Sequence, residues 1–277
     1  ITATTMKQIV SLAQTLSTNL TSVTGTSSAT SVATVVEQAK GLLSELGSAL
    51  NTQSGSDYIF AGQDATEAPI TDVNNLGSST LATSIASAVS SLDASHVDTV
   101  LDKVTTAANN NSVFSANLTT TPAAAAGLKA SVVMSTSTTK VGLVATQNST
   151  TSAASSTSTG SPIRDLMSDL MVVASMGGMS SETAGYTDLV TKLNSSLNTT
   201  IGQLTDMEAQ VGVQQSALTT RSTMLTSVTT MLTTQLGNAR EADAASAITT
   251  ATTLKTQLEA SFTLVADMKN MSLASYL

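Results

Sequence analysis

Apolar side chains at Met6, Ile9, Leu12, Leu16, Leu20 and Val23 recur every three or four residues. That is the repeat of one helix face, and it predicts a helix over 1–24. Gly25 and the cluster GTSSAT interrupt it, since glycine and grouped hydroxyl residues favour turns. A second stripe, Val32, Val35, Ala39, Leu42, Leu46 and Leu50, predicts a helix over 31–51, with Gly55 as its stop. Between 69 and 165 the pattern changes. SVFSANL, LKASVVM and KVGLVAT are short and β-branched and read as strands. LATSIASAVSSLDASHVDTVLDKV keeps helical spacing. NSTTSAASSTSTGS is a hydroxyl-rich loop with no expected packing.

From Pro162 the helical signal returns. Ser161 is the expected cap of a helix whose first residue is Pro162. GGMSSETAGY is a turn, after which Ser180 or Ser181 is placed to cap the next helix. Leu189, Leu193, Leu197, Ile201, Leu204, Met207, Val211, Leu218, Leu225, Val228, Leu232 and Leu236 then repeat at three, four or seven. Sustained over so many turns, this spacing points to a coiled-coil-like seam. A further stripe passes through Ile248, Ala251, Leu254, Leu258, Phe262 and Val265, and Leu273 and Leu277 follow near the end. The expected fold class is mainly α: a long antiparallel helical rod with a small inserted α+β domain. Its expected parts are an N-side rod segment (1–68), the insertion (69–161), C-side rod helices (162–239) and a C-terminal association helix (240–277).

Composition sharpens this. Aromatic residues are 2 % of the 277 and there is no Trp, so Leu, Val, Met and Ala must fill the interior. Such residues suit narrow helical seams better than a thick core. Charged residues are only 11 %, with a net charge of −8. No basic patch exists to displace phosphate counterions, which argues against nucleic acid. No apolar run approaches the length of a membrane span. Without cysteine, disulfides, thiolate metal sites and cysteine nucleophiles are excluded. The apolar stripe near the C-terminus has few charges, and a partner must cover it.

Candidate chemistry is sparse. The single histidine, His96, cannot build a two-histidine metal site, and DASHVD reads as a solvated helix face. STTK (137–140) matches S-x-x-K only formally: the supporting S-D-N and K-T-G elements are absent. Asp165 and Asp169 stand one turn apart, a pair that can serve acid–base work or hold a cation. Read against the helix dipole, they are a solvated first turn. Gly177-Gly178 is a turn, not a phosphate loop. No catalytic, cofactor-binding or metal-ligating residue is assigned, and no enzyme activity or cofactor is expected.

At NTQSGSDYIFAGQDATEAPI (51–70) the chain resembles the bacterial flagellin superfamily, in particular alpha-proteobacterial flagellins and the related hook–filament junction protein. Asn51, Thr52, Gly55, Tyr58, Ile59, Phe60, Ala61, Gly62 and Pro69 stand where that family carries its turn. On the C side, LGNAREADAASAITTATTLKTQLEAS is similar to the family's returning terminal helix, and SLASYL to its ending. The resemblance covers about 1–70 and 160–277. It implies a flagellin-like bundle whose subunits polymerise into the flagellar filament for swimming motility, or cap the hook where the filament begins. The implied partners are further copies of the chain, hook-associated proteins, the filament cap and an export chaperone, with no nucleic acid and no membrane insertion. The implied location is extracellular, reached through the flagellar secretion apparatus without a cleaved signal peptide. Tyr58 and Phe60 are expected to plug the end of the helical seam, with Gly55, Gly62 and Pro69 shaping the turn. Leu254, Leu258, Phe262, Val265, Leu273 and Leu277 are expected to pair helices in the polymer. The family's extreme N-terminal helix is not in the sequence, so residues are expected upstream of Ile1. The stretch MKQIVSLAQ has Lys7 and no Arg, which predicts weak recognition by the animal receptor that reads this family segment. A secreted carbohydrate-binding module is the alternative from another class, but the insertion offers it one aromatic, Phe114.

Overall fold

In the computed structural model, which describes residues 1–110, 112–134 and 137–270, the first two stripes form α1 (Thr2–Ser22) and α2 (Ala29–Leu50). Ser28 caps α2 by accepting from the Ser31 amide at 3.2 Å, which satisfies one of the orphan donors of a helix start. α2 stops at Leu50, so Gly55 does not end it. Gly55 instead turns a two-residue hairpin between β1 (Gln53–Ser54) and β2 (Asp57–Tyr58), with Gln53 opposite Tyr58. Its φ of 69° suits the positive dihedral that such tight hairpins need.

The single helical spacing over 81–104 divides into α3 (Thr80–Ser90) and α4 (Val97–Asn110). Asp93 causes the break. Its carboxylate accepts from the Ser95 amide at 2.7 Å and pairs with the His96 ring, offering the backbone a local alternative to helix. His96 is exposed and immediately precedes α4. SVFSANL is not a strand. Phe114 makes one bridge to Ile70, and Ala116–Leu118 is a 3-10 turn. Ser112 accepts from the Phe114 amide and Ser115 donates to Asn117, so local bonds replace a ladder. After the short α5 (Pro122–Ala125), β3 (Ala130–Met134) and β4 (Ser137–Val141) pair antiparallel, with Ala130 opposite Val141. KVGLVAT leaves the strand at Gly142. The hydroxyl-rich loop contains β5 (Ala154–Ser155) and β6 (Ser158–Thr159), and it does pack: Thr159 and Ser161 are buried.

α6 (Pro162–Ala174) is buried on all sides from Pro162 to Val173, with α2, α3 and α4 around it. Ser161 occupies its N-cap position without making a capping bond. α7 (Tyr186–Asn270) is one unbroken helix; neither Ser180 nor Ser181 caps it, and LGNAREADAAS does not interrupt it. Contacts divide the chain into Ile1–Gln215 and Ser216–Leu277.

In the first unit α1 and the start of α7 run antiparallel. Tyr186 donates its hydroxyl to the Val23 carbonyl at 3.0 Å, and Ser17 reaches Asn194 and Asn198. The core joins residues of α1, α2, α3, α4 and α6 with the α7 positions Leu189, Leu193, Leu197 and Leu204. Each such side chain contributes about 1.5–3 kcal/mol on burial. The described part of the second unit is helix alone, on the order of 80 Å long. The molecule is therefore mainly α, with a long C-terminal helix and small strand pairs in its insertion.

Candidate self-association surface and the turn at 51–70

In the second unit, the helix buries none of its large apolar side chains. Leu254, Leu258, Phe262 and Val265 are 55, 55, 68 and 62 % exposed. Leu225, Leu232, Leu236 and Ile248 are equally open, as are Leu264 and Met268. Leu273 and Leu277 lie outside the described residues. An apolar surface of this extent marks an interaction site on a native protein. Threonine and serine fill much of the remaining helix surface. Thr220, Thr223, Thr226, Thr229, Thr230, Thr233 and Thr234 each donate their hydroxyl to the carbonyl four residues earlier. This satisfies the hydroxyls within the helix itself.

The turn at 51–70 is built in layers. Asn51, just past α2, clamps Ile70: its Nδ2 donates to the Ile70 carbonyl at 2.9 Å, and its Oδ1 accepts from the Ile70 amide at 2.8 Å. Phe60 is fully buried and Tyr58 half-buried, so the two rings differ in environment. The Phe60 carbonyl accepts from the Ala145 amide at 3.0 Å, and Ala61 bridges to Val144, which ties the turn to the insertion. Gly62 has φ 75°, and a Cβ there would meet the Leu128 carbonyl oxygen at 2.6 Å. Only glycine fits that close approach. Pro69 is buried, and its carbonyl accepts from the Ser115 amide at 3.0 Å.

Asp165 and Asp169 are not a solvated first turn. Both are buried, because α2, α3 and α4 surround α6. Asp165 accepts from Ser158 Oγ at 2.6 Å and from both the amide and the hydroxyl of Thr159 at 2.7 Å. Burial raises its pKa and these bonds oppose the rise. Asp169 has no such support: Oδ2 has no hydrogen-bond partner. Burial, then the Asp165 charge, pushes its pKa well above the usual carboxylate range. Arg164, also buried, donates to the Leu118 and Thr120 carbonyls at 3.0 and 3.2 Å and stacks over Phe114 at 5.7 Å.

Two positioning residues were not singled out by the sequence pattern: Tyr186 fastens α7 to α1, and Arg164 holds the 118–120 segment. Asn51 belongs to the turn motif, but that motif does not foretell its clamp on Ile70. The lone tyrosine before a long stripe and the arginine within an apolar helix were the available signals. Ser137–Lys140 lies in β4, not on a helix. No helix among the described residues is long and apolar enough to cross a membrane.

Residues 193–277 match the family model described as the bacterial flagellin C-terminal helical region, which supports membership of the bacterial flagellin family. The match begins at buried Leu193 on α7 and takes in the entire exposed stripe. No curated protein and no solved structure matches the chain.

Proposed function

Starting from its membership of the bacterial flagellin family, a structural family of the extracellular flagellar filament, we propose that this chain is a filament subunit that polymerises with copies of itself for swimming motility. The observation that carries the reading is the exposed stripe through Leu254, Leu258, Phe262 and Val265, within the segment that matches the family. In water this surface is unfavourable by about 25 cal/mol per Å² of apolar area. Neighbouring copies remove it from water. A contact between two different faces of the same chain that does not close on itself propagates into a helical filament. The turn at 51–70 holds the insertion in fixed relation to the end of α2, with Gly55, Tyr58, Phe60, Gly62 and Pro69 as its parts. Hook-associated proteins, the filament cap and an export chaperone are the further partners this role requires.

The test is polymerisation of the purified full chain, followed by light scattering and electron microscopy. The expected result is filaments above a critical concentration. Replacing Leu254 and Leu258 together by Glu should raise that concentration at least roughly tenfold, since two buried leucines supply several kcal/mol, while leaving the unfolding of the first unit unchanged. Assembly of the double variant at the wild-type concentration would overturn the reading. Growth that stops at a single ring on preformed hooks would instead identify the hook–filament junction protein.

A further inference from the structure

We infer that Met224, Met231 and Met268 form an oxidation-sensitive site on the exposed face of α7, at which peroxide-class oxidants make sulfoxides and so weaken association between copies of the chain. The inference rests on the filament role proposed above and adds its regulation. Methionines of the two units differ in access to solvent. Met6, Met167 and Met207 are fully buried in the first unit, whereas Met224, Met231 and Met268 are 67, 52 and 66 % exposed. A thioether is soft and polarisable, and its oxidation follows exposure. The sequence contains no cysteine, so no thiol competes for the oxidant.

Their places on the helix make the modification consequential. Met224, Val228 and Met231 follow one another at four and three residues and share one face, and Met268 stands one turn beyond Leu264 and Val265. Met224 adjoins Leu225 and Met231 adjoins Leu232, both more than half exposed. All three methionines lie within the stretch that matches the flagellin C-terminal helical region. The step balances with hydrogen peroxide alone. A sulfur lone pair takes one peroxide oxygen, an S–O bond forms as the O–O bond breaks, sulfur gives up two electrons, and the second oxygen leaves as water with both protons. The product is a polar, chiral side chain in place of a flexible apolar one. Packing its S–O group against the leucines of a neighbouring copy strands a polar group away from water, which is costly. The core methionines are shielded, so the first unit keeps its fold while the assembly face loses its fit. Assembly in turn covers the three sulfurs, so the free chain is the sensitive form.

The experiment treats the full chain with hydrogen peroxide, follows each methionine by peptide mass spectrometry, and measures the critical concentration for polymerisation. Met224, Met231 and Met268 should oxidise at least roughly tenfold faster than Met6, Met167 and Met207, and more slowly in the polymer than in the free chain. Their conversion should raise the critical concentration by roughly tenfold. Methionine sulfoxide reductases A and B together should restore it, since each takes one epimer. The triple variant Met224→Leu, Met231→Leu, Met268→Leu should polymerise as wild type and resist peroxide, because the exchange conserves volume. Oxidation of the three no faster than of the buried methionines overturns the inference. So does an unchanged critical concentration after their conversion, or equal sensitivity of the leucine variant. A chain that never polymerises even when unoxidised would instead sink the filament role, and the control of assembly with it.

Discussion

The same helix presents the same kind of stripe in two regions, with opposite outcomes. Within the first unit, Leu189, Leu193, Leu197, Leu204 and Met207 of α7 are buried to 1 % exposure or less. Within the second, Leu225, Leu232, Leu254 and Leu258 are each more than half exposed. Side-chain type and spacing hardly differ between them. What differs is the company: α1 and the other first-unit helices share a core with the early positions, and no described element covers the later ones. Apolar periodicity thus states a demand for burial, and the surroundings decide whether the chain meets that demand itself.

The sharpest way to break this comparison is to truncate one phenylalanine in each region. Phe60→Ala should destabilise the chain by about 3–5 kcal/mol, because the ring is fully buried. Phe262→Ala, 68 % exposed, should change the unfolding of the unassembled chain by no more than about 0.5 kcal/mol yet weaken assembly. Urea denaturation beside sedimentation measures both. Equal unfolding effects would erase the distinction between the regions. Next in size, Asn51→Ala removes both bonds to Ile70 and should cost about 1–3 kcal/mol, read as a lower urea midpoint at unchanged slope.

A subtler probe is pH. The folded-state pKa of Asp169 is raised, so the native state binds its proton more tightly than the unfolded chain does. Its contribution is then most favourable below about pH 4 and is lost as pH rises through the folded value. The stability gap between wild type and Asp169→Asn should widen in the variant's favour along that rise. A gap independent of pH would mean that the carboxyl stays ionised in the fold.

The helices were legible because their stripes are long and free of interior proline. α1 and α2 follow from their apolar positions, whereas α7 joins in one helix two stripes that the sequence reading parted at 239/240. The turn at Gly55, Phe60 and Gly62 was legible as a motif, though not its mechanics: the Asn51 clamp joins residues nineteen apart, and no local pattern encodes that distance. The division of 81–104 at Asp93 was hidden, because a single carboxylate bonding to the Ser95 amide overrode the helical spacing. SVFSANL has strand-like composition, but its serines bond locally and leave a single bridge. The aspartates of α6 misled for a related reason. Spacing places them on one face, and only the packing of α2, α3 and α4 shows that this face is interior.

The threonine hydroxyls along 220–234 bond back to their own helix, and they leave a coat with few fixed directional requirements. Two such coats can be pressed together at more than one axial offset without stranding a donor. Carboxamides or ion pairs in the same places would lock a single register. If copies of the chain meet along this helix, as proposed, slippage costs little on the polar side of the contact, and only the burial of methyl and leucine surface resists it.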